Sequence, residues 1–222
     1  VGEYTVRRPQ SYSSISLYKK CPKSWEWNYV LGNRKPPGPA ADRGTELHLK
    51  LEEFFLGKTQ YPAYDKTLRP WQRFMENLTR YNPVPECLYA VDKHWGPVDY
   101  EDPDAWARGK GDLTYTLEST RHILDWKSGR VYPNHPEQGR MYVALDQEEP
   151  EIYKTEFVYL DIPLHIDSRY VTTEDKRLDR VKLDHQIIAM NTDEEYKATP
   201  SQEACQWCPL SWRRGGDCRS AP

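Results

Sequence analysis

The stretch "HILDWKSG", residues 122–129, decides how this chain is read. A short apolar run through Ile123 and Leu124 leads into Asp125 and Lys127, with Trp126 between them. Side chains two apart on a strand share a face, so carboxylate and ammonium stand side by side while Trp126 points the opposite way. Upstream, "ARGKGDLTYTL" at 107–117 reads as a neighbouring strand that carries Asp112. Adjacent strands lie about 4.8 Å apart, which brings the two acids together. Buried carboxylates repel unless a cation stands between them, and Mg2+ or Mn2+, hard cations that take oxygen ligands, suit that place. Lys127 would then polarise a water or stabilise charge developing on a phosphoryl oxygen.

Outward from these strands the hydrophobic period changes twice. "SYSSISLYKKCPKSWEWNYVL" at 11–31 opens with capping hydroxyls and reads as a helix, a break at Cys21–Pro22, and more helix. "GNRKPPGPAAD" at 32–42 reads as a loop. "RGTELHLKLEEFFLG" places Leu47, Leu51, Phe54 and Phe55 on one stripe and stops at Gly57. His48 and Glu52 are neighbours on it at i and i+4; Glu52 reads as a solvated acid. "RPWQRFMENLTRY" predicts another helix, entered at Pro70. "ECLYAVDKHW", "ARGKGDLTYTL" and "RHILDWK" are three successive strands, "PEQGRMYVALDQ" a helix and "KTEFVYLDIPL" a strand. "SRYVTTED" is a further strand, and "DKRLDRVKLDHQIIAMN" an amphipathic helix. The order predicts an α/β fold, a central mixed sheet flanked by helices. No linker divides the 222 residues, so one domain is expected over 1–222, its core at about 40–195.

Composition narrows the function classes. No window approaches the roughly 18 apolar residues of a membrane span, and the first ten residues lack a signal-peptide apolar region. The expectation is an intracellular protein without membrane attachment. The net charge of −3 gives no global reason to bind a polyanion, so any nucleic-acid surface must be local.

The same residues resemble the PD-(D/E)XK nuclease superfamily, in particular its RecB-like branch. The resemblance runs through G-x-x-x-H at Gly44 to His48, G-D at Gly111–Asp112, D-W-K at Asp125–Lys127 and Q-x-x-x-Y at Gln138 to Tyr142. It implies a restriction-endonuclease-like fold and a Mg2+- or Mn2+-dependent DNA exonuclease or end-processing nuclease. It also implies that His48, Asp112, Asp125 and the Trp126 carbonyl hold metal, that Lys127 lies near the attacking water, and that Gln138 and Tyr142 face the site. DNA, single-stranded or at frayed ends, is the implied partner, with a helicase or recombination protein supplying any unwinding. The competing reading is a DNA-binding or assembly module on the same fold within a repair or recombination complex. The presence of His48, Asp112, Asp125 and Lys127 together favours the enzyme.

Five cysteines divide into a spare, Cys87, and a set of four: Cys21, then Cys205, Cys208 and Cys218 near the end. Their spacing permits zinc or an iron–sulfur cluster. Nucleases of the CRISPR adaptation machinery, in the same branch, are similar in placing one early and three late cysteines around a [4Fe-4S] cluster. This chain has a longer late gap, containing "RRGGD". The expectation is a clip that joins 11–31 to 200–222, flanked by Trp207, Trp212, Arg213, Arg214 and Arg219, which offer stacking and phosphate contacts.

Overall fold

The computed structural model describes residues 8–34, 36 and 38–219. Helices α1 (Tyr12–Lys20), α2 (Pro22–Trp25), α3 (Pro39–Phe55) and α4 (Gln72–Leu78) precede the sheet. Ser11 caps α1, accepting from Ser14 N at 3.3 Å. Cys21 is extended, with φ −166°, and Pro22 starts α2, whose end continues into a π-helical turn at Glu26–Val30. α3 begins four residues earlier than the sequence predicts. Pro39 occupies its first turn, where a fixed φ and a missing N–H cost nothing.

The sheet is five-stranded and mixed, in the order β1 (Val84–Val91), β2 (Ala107–Leu117), β3 (Thr120–Lys127), β4 (Ile152–Tyr159), β5 (Ile166–Thr172). β1, β2 and β3 run antiparallel in sequence, β4 is parallel to β3, and β5 is antiparallel to β4. A parallel pair needs a crossover, and α5 (His135–Leu145) provides it. Helices α6 (Thr173–Thr192) and α7 (Gln202–Cys205) follow.

Three strand limits differ from the sequence reading. β1 stops at Val91 because the Asp92 carboxylate accepts from His94 N and Gly96 N, at 2.8 and 2.9 Å, and turns the chain. β4 stops at Tyr159, where a turn closed by His165 N donating to Ile162 O redirects the chain into β5. Thr172 ends β5 and forms a capping box with Asp175, so 173–175 is helix.

Each sheet face has its own core. Ile123, Tyr153 and Val171 pack with α5 and α6 through Met141, Leu145 and Ile187. Leu113, Leu124, Trp126 and Val158 pack with α3 and α4 through Leu47, Leu51 and Met75. Leu51 and Leu113 are fully buried, each contributing about 2 kcal/mol of transfer free energy. The strand alternation at Asp125–Trp126–Lys127 follows: Trp126 stacks on Phe55 with ring centroids 6.1 Å apart, anchoring β3 so that its acid and lysine face α5. No helix among the described residues is long and apolar enough to cross a membrane.

Candidate active site

The pocket at the C-terminal end of β3 encloses about 500 Å3, and His48, Asp112, Asp125, Lys127, Gln138 and Tyr142 all line it. The β2–β3 register ends at Leu113↔Leu124, which leaves Asp112 across from Asp125. The β1–β2 register is the same on both sides of Glu86, at Pro85↔Leu113 and Cys87↔Gly111, but the pair Glu86–Asp112 is missing from the ladder and Glu86 has a φ of 55°. Here Leu113 joins the α3 core, whereas a Cβ on Gly111 would meet Tyr89 and Ile123 of the other core.

Two glycines set the helices at contact distance. A Cβ on Gly44 would lie 2.9 Å from Ser128 Oγ, so α3 approaches the segment just after Lys127 closely enough to deliver His48. A Cβ on Gly139 would lie 2.9 Å from Thr155 Cβ; its absence lets α5 sit down on β4 and bring Gln138 over β3.

Within the pocket the polar atoms are tied together. Asp112 accepts from Trp126 N at 2.7 Å through Oδ2, and its Oδ1 lies 2.9 Å from His48 Nδ1. Asp125 Oδ2 accepts from Tyr142 Oη at 2.9 Å and from Gln138 Nε2 at 3.1 Å. Lys127 Nζ donates to Gln138 Oε1 at 2.9 Å and stands 2.6 Å from Asp125 Oδ1. That last contact is an ion pair, and it supplies the partner of the buried Asp125 Oδ1. Gln138 therefore holds the lysine and the acid at once.

Burial, and after it the charge of Asp125, raises the Asp112 carboxyl above the ordinary range. Burial lowers the His48 imidazole, but the hydrogen bond and charge of Asp112 outweigh it and the net direction is up. Burial and then the charges of Asp125 and Asp112 hold the Tyr142 phenol well above its usual value, so it serves as a donor. At Asp112, therefore, the hydrogen bonds from His48 and Trp126 N offset burial and repulsion only in part.

The expectation of assembled metal-ligand clusters departs from the structure. Among the described residues, no group of three or more His, Cys, Asp or Glu side chains is gathered closely enough to hold a metal ion. At the acid site the physical reason is visible: Asp112 is drawn to His48 and Trp126 N, Asp125 to Lys127, Gln138 and Tyr142. The donor set nonetheless suits a hard divalent cation, with two carboxylates and an imidazole on one pocket. The four cysteines all line a single small cavity, and all are free thiols. The early and late segments are tied beside it by Thr199 Oγ1 donating to Lys20 O at 2.9 Å. Cys87 lies apart on β1, with its sulfur 3.0 Å from Thr114 Oγ1.

Other residues at the site escaped the sequence reading. Lys110 and Glu86 form an ion pair on the pocket wall, and Glu52 lines the wall as well. The signal for Lys110 is its place two residues before Asp112 in "GKGD"; nothing in the sequence marks the Glu86 irregularity. Arg43 clamps Asp161, which accepts from Gly129 N at 2.7 Å and fixes the chain just after Lys127.

The sequence matches the PD-(D/E)XK nuclease superfamily over residues 9–213, and the chain belongs to that superfamily. The match takes in His48, both acids, Lys127, Gln138 and Tyr142. Among solved structures, a "putative exonuclease" from Eubacterium rectale is similar with a TM-score of 0.50 at 13% identity, over 83% of this chain and 82% of that one. A protein named SSO0001 is similar with a TM-score of 0.48 at 15% identity, over 87% and 81%. At these identities the likeness is one of fold. No curated protein matches the chain in sequence.

Proposed function

We propose that the chain is a Mg2+- or Mn2+-dependent DNA nuclease of the RecB-like branch, acting on strand ends by direct attack of water without a covalent intermediate. The observation that carries the reading is Asp125. Its carboxylate is 4% exposed, one oxygen is held by Tyr142 and Gln138, and the other lies 2.6 Å from the Lys127 ammonium. An acid buried this way across from a second acid is poorly explained as scaffold, because two carboxylates brought together out of water repel unless a cation stands between them. Asp112, Asp125, the Trp126 carbonyl and His48 would hold the cation, which supplies an activated water and charge stabilisation at the phosphate. Lys127, steered by Gln138, holds positive charge where a phosphoryl oxygen gains negative charge. Tyr142 and Gln138 keep Asp125 aimed. The description of one structural relative as an exonuclease is in keeping with action at ends.

The finer part of the proposal concerns the cysteines: Cys21, Cys205, Cys208 and Cys218 hold one [4Fe-4S] cluster, with zinc the alternative for the same thiolates. Their place on the wall of one cavity supports it, since zinc and iron–sulfur clusters alike take four thiolates. Duplex substrates would then depend on a helicase or recombination partner for unwinding.

The test is product length from a linear strand labelled at its 5′ or its 3′ end, beside circular single-stranded DNA, with Mg2+ or Mn2+. The expected result is stepwise shortening from one end with the circle intact. Equal cutting of the circle would replace end-processing by endonuclease action, and no cutting with either metal would refute the nuclease reading.

A further inference from the structure

A second groove opens into the acid pocket. It encloses about 580 Å3 and shares Lys110, Gln138 and Tyr142 with that pocket. Its walls are α1, the first half of β2 and the approach to α5, and they place Lys20, Arg108 and Lys110 beside Tyr12, Tyr132 and His135. No carboxylate lines it among the described residues, in a chain whose acids outnumber its Lys and Arg, 34 to 31. The counter-ions stand outside the groove: Glu203 and Glu101, 79% and 82% exposed, face Lys20 and Arg108, and Glu86 pairs with Lys110 from the acid-pocket side. The pairs with Glu203 and Glu101, being exposed, are weak and are readily exchanged for another anion.

The groups are also pre-set. Arg108 lies over the Tyr100 ring, 5.1 Å from its centroid, and donates to Tyr100 O at 3.1 Å, which leaves the rest of its guanidinium fork directed by the stack. Tyr12 is fixed by donating to Asn134 O at 2.6 Å. Tyr132 stands half exposed, with His135 roughly perpendicular to it at 5.4 Å and the Arg130 guanidinium over its ring, 5.9 Å from the centroid, so a cation and an aromatic ring stand together at the groove wall.

We propose that this groove is the track for a single DNA strand leading to the acids. Phosphates lie against Arg108, Lys110 and Lys20, and a base stacks on Tyr132. Interleaved cations and aromatic faces are what a flexible strand with unstacked bases needs. The acids are recessed, Asp112 at 9% and Asp125 at 4% exposure, so the reacting phosphate must bend inward to reach them, which a stiff duplex resists. The inference rests on the nuclease reading for its choice of ligand.

The test is fluorescence anisotropy of a labelled oligothymidine in EDTA, which separates binding from chemistry. Tyr132→Ala should weaken binding about tenfold and Tyr132→Phe should retain it. Arg108→Ala should weaken it and make the slope of log K against log salt shallower by about 0.7. Arg177→Ala, an exposed cation on α6, should change neither. Wild-type affinity and salt slope for both Tyr132→Ala and Arg108→Ala would overturn the track. So would a blunt duplex that binds as tightly as the single strand. Tyr132 is exposed enough that its variants test the proposal even if Arg108→Ala fails to fold. Cleavage of the same strand in Mn2+ is scored apart: the predicted binding losses without any cleavage would support the track and refute the nuclease reading.

Discussion

At Asp112 and Asp125 the protein keeps two carboxylates side by side, and burial and then the charge of Asp125 raise the Asp112 carboxyl above its ordinary range. Asp125→Asn keeps an acceptor for Tyr142 and removes the repulsion. It should therefore lose cleavage by about 10³-fold or more while melting at the wild-type temperature or above, as read by single-turnover cleavage and thermal denaturation. A cold-sensitive or unfolded variant would mean that the acid is structural. Lys127→Ala should bind Mn2+ with wild-type affinity by calorimetry yet cleave slowly, because the ammonium stabilises charge on the reacting phosphate; an equal loss of affinity would show that it mainly orders the acids. These two residues were legible because a strand's period of two puts Asp125 and Lys127 on one face. Lys110 and Glu86 were not, since their pairing sits at the left-handed backbone of Glu86, which no local pattern announces. Nor did spacing disclose that Gln138 bridges the lysine and the acid.

The helix–sheet contact at α5 turns on Gly139. In Gly139→Ala the new Cβ meets Thr155 across β4, α5 must lift, and Gln138 and Tyr142 withdraw from Asp125. Overpacking of this kind costs about 1–3 kcal/mol, so both melting temperature and cleavage rate should fall; a variant with unchanged values would place the helix elsewhere. On the β3–β4 pair, Glu156 is buried between His122, 2.8 Å away, and Lys154, also at 2.8 Å. Burial pushes its carboxyl up, but the His122 and Lys154 hydrogen bonds outweigh this and hold it below its ordinary 4.5. A depressed carboxylate contributes stability that is present above 4.5 and lost as pH falls through the lower folded value. The melting-temperature gap between wild type and Glu156→Gln should accordingly close on acidification below about 4.5; a gap that persists would show that the pair is held by shape alone. All five strands and the long helices were readable from period and turn residues. Their limits were set by side chains acting on backbone: Asp92 ends β1, Pro39 starts α3 early, and the Thr172–Asp175 box ends β5.

Across the molecule the segment at 18–21 meets the segment at 193–218. Tyr18 donates to Asp193 at 2.6 Å, Thr199 to Lys20 O at 2.9 Å, and the four cysteines share one cavity. The sequence predicted the grouping by cysteine count and spacing, while the contacts that join the two segments, hydroxyls to a carboxylate and a carbonyl, carry no pattern of their own. Replacing Cys21, Cys205, Cys208 or Cys218 by Ala should lower the melting temperature and release iron or zinc, whereas Cys87→Ala should do neither; neither iron nor zinc in purified protein, with Cys21→Ala as stable as Cys87→Ala, would dismiss the cluster. The central claim, that the acids on β2 and β3 form a metal-dependent nuclease site, is tested most directly by following an end-labelled single strand with wild type and Asp125→Asn, in Mn2+ and in EDTA. The account predicts cleavage by wild type in Mn2+ alone. Cleavage by Asp125→Asn at the wild-type rate, or by wild type in EDTA, would contradict it.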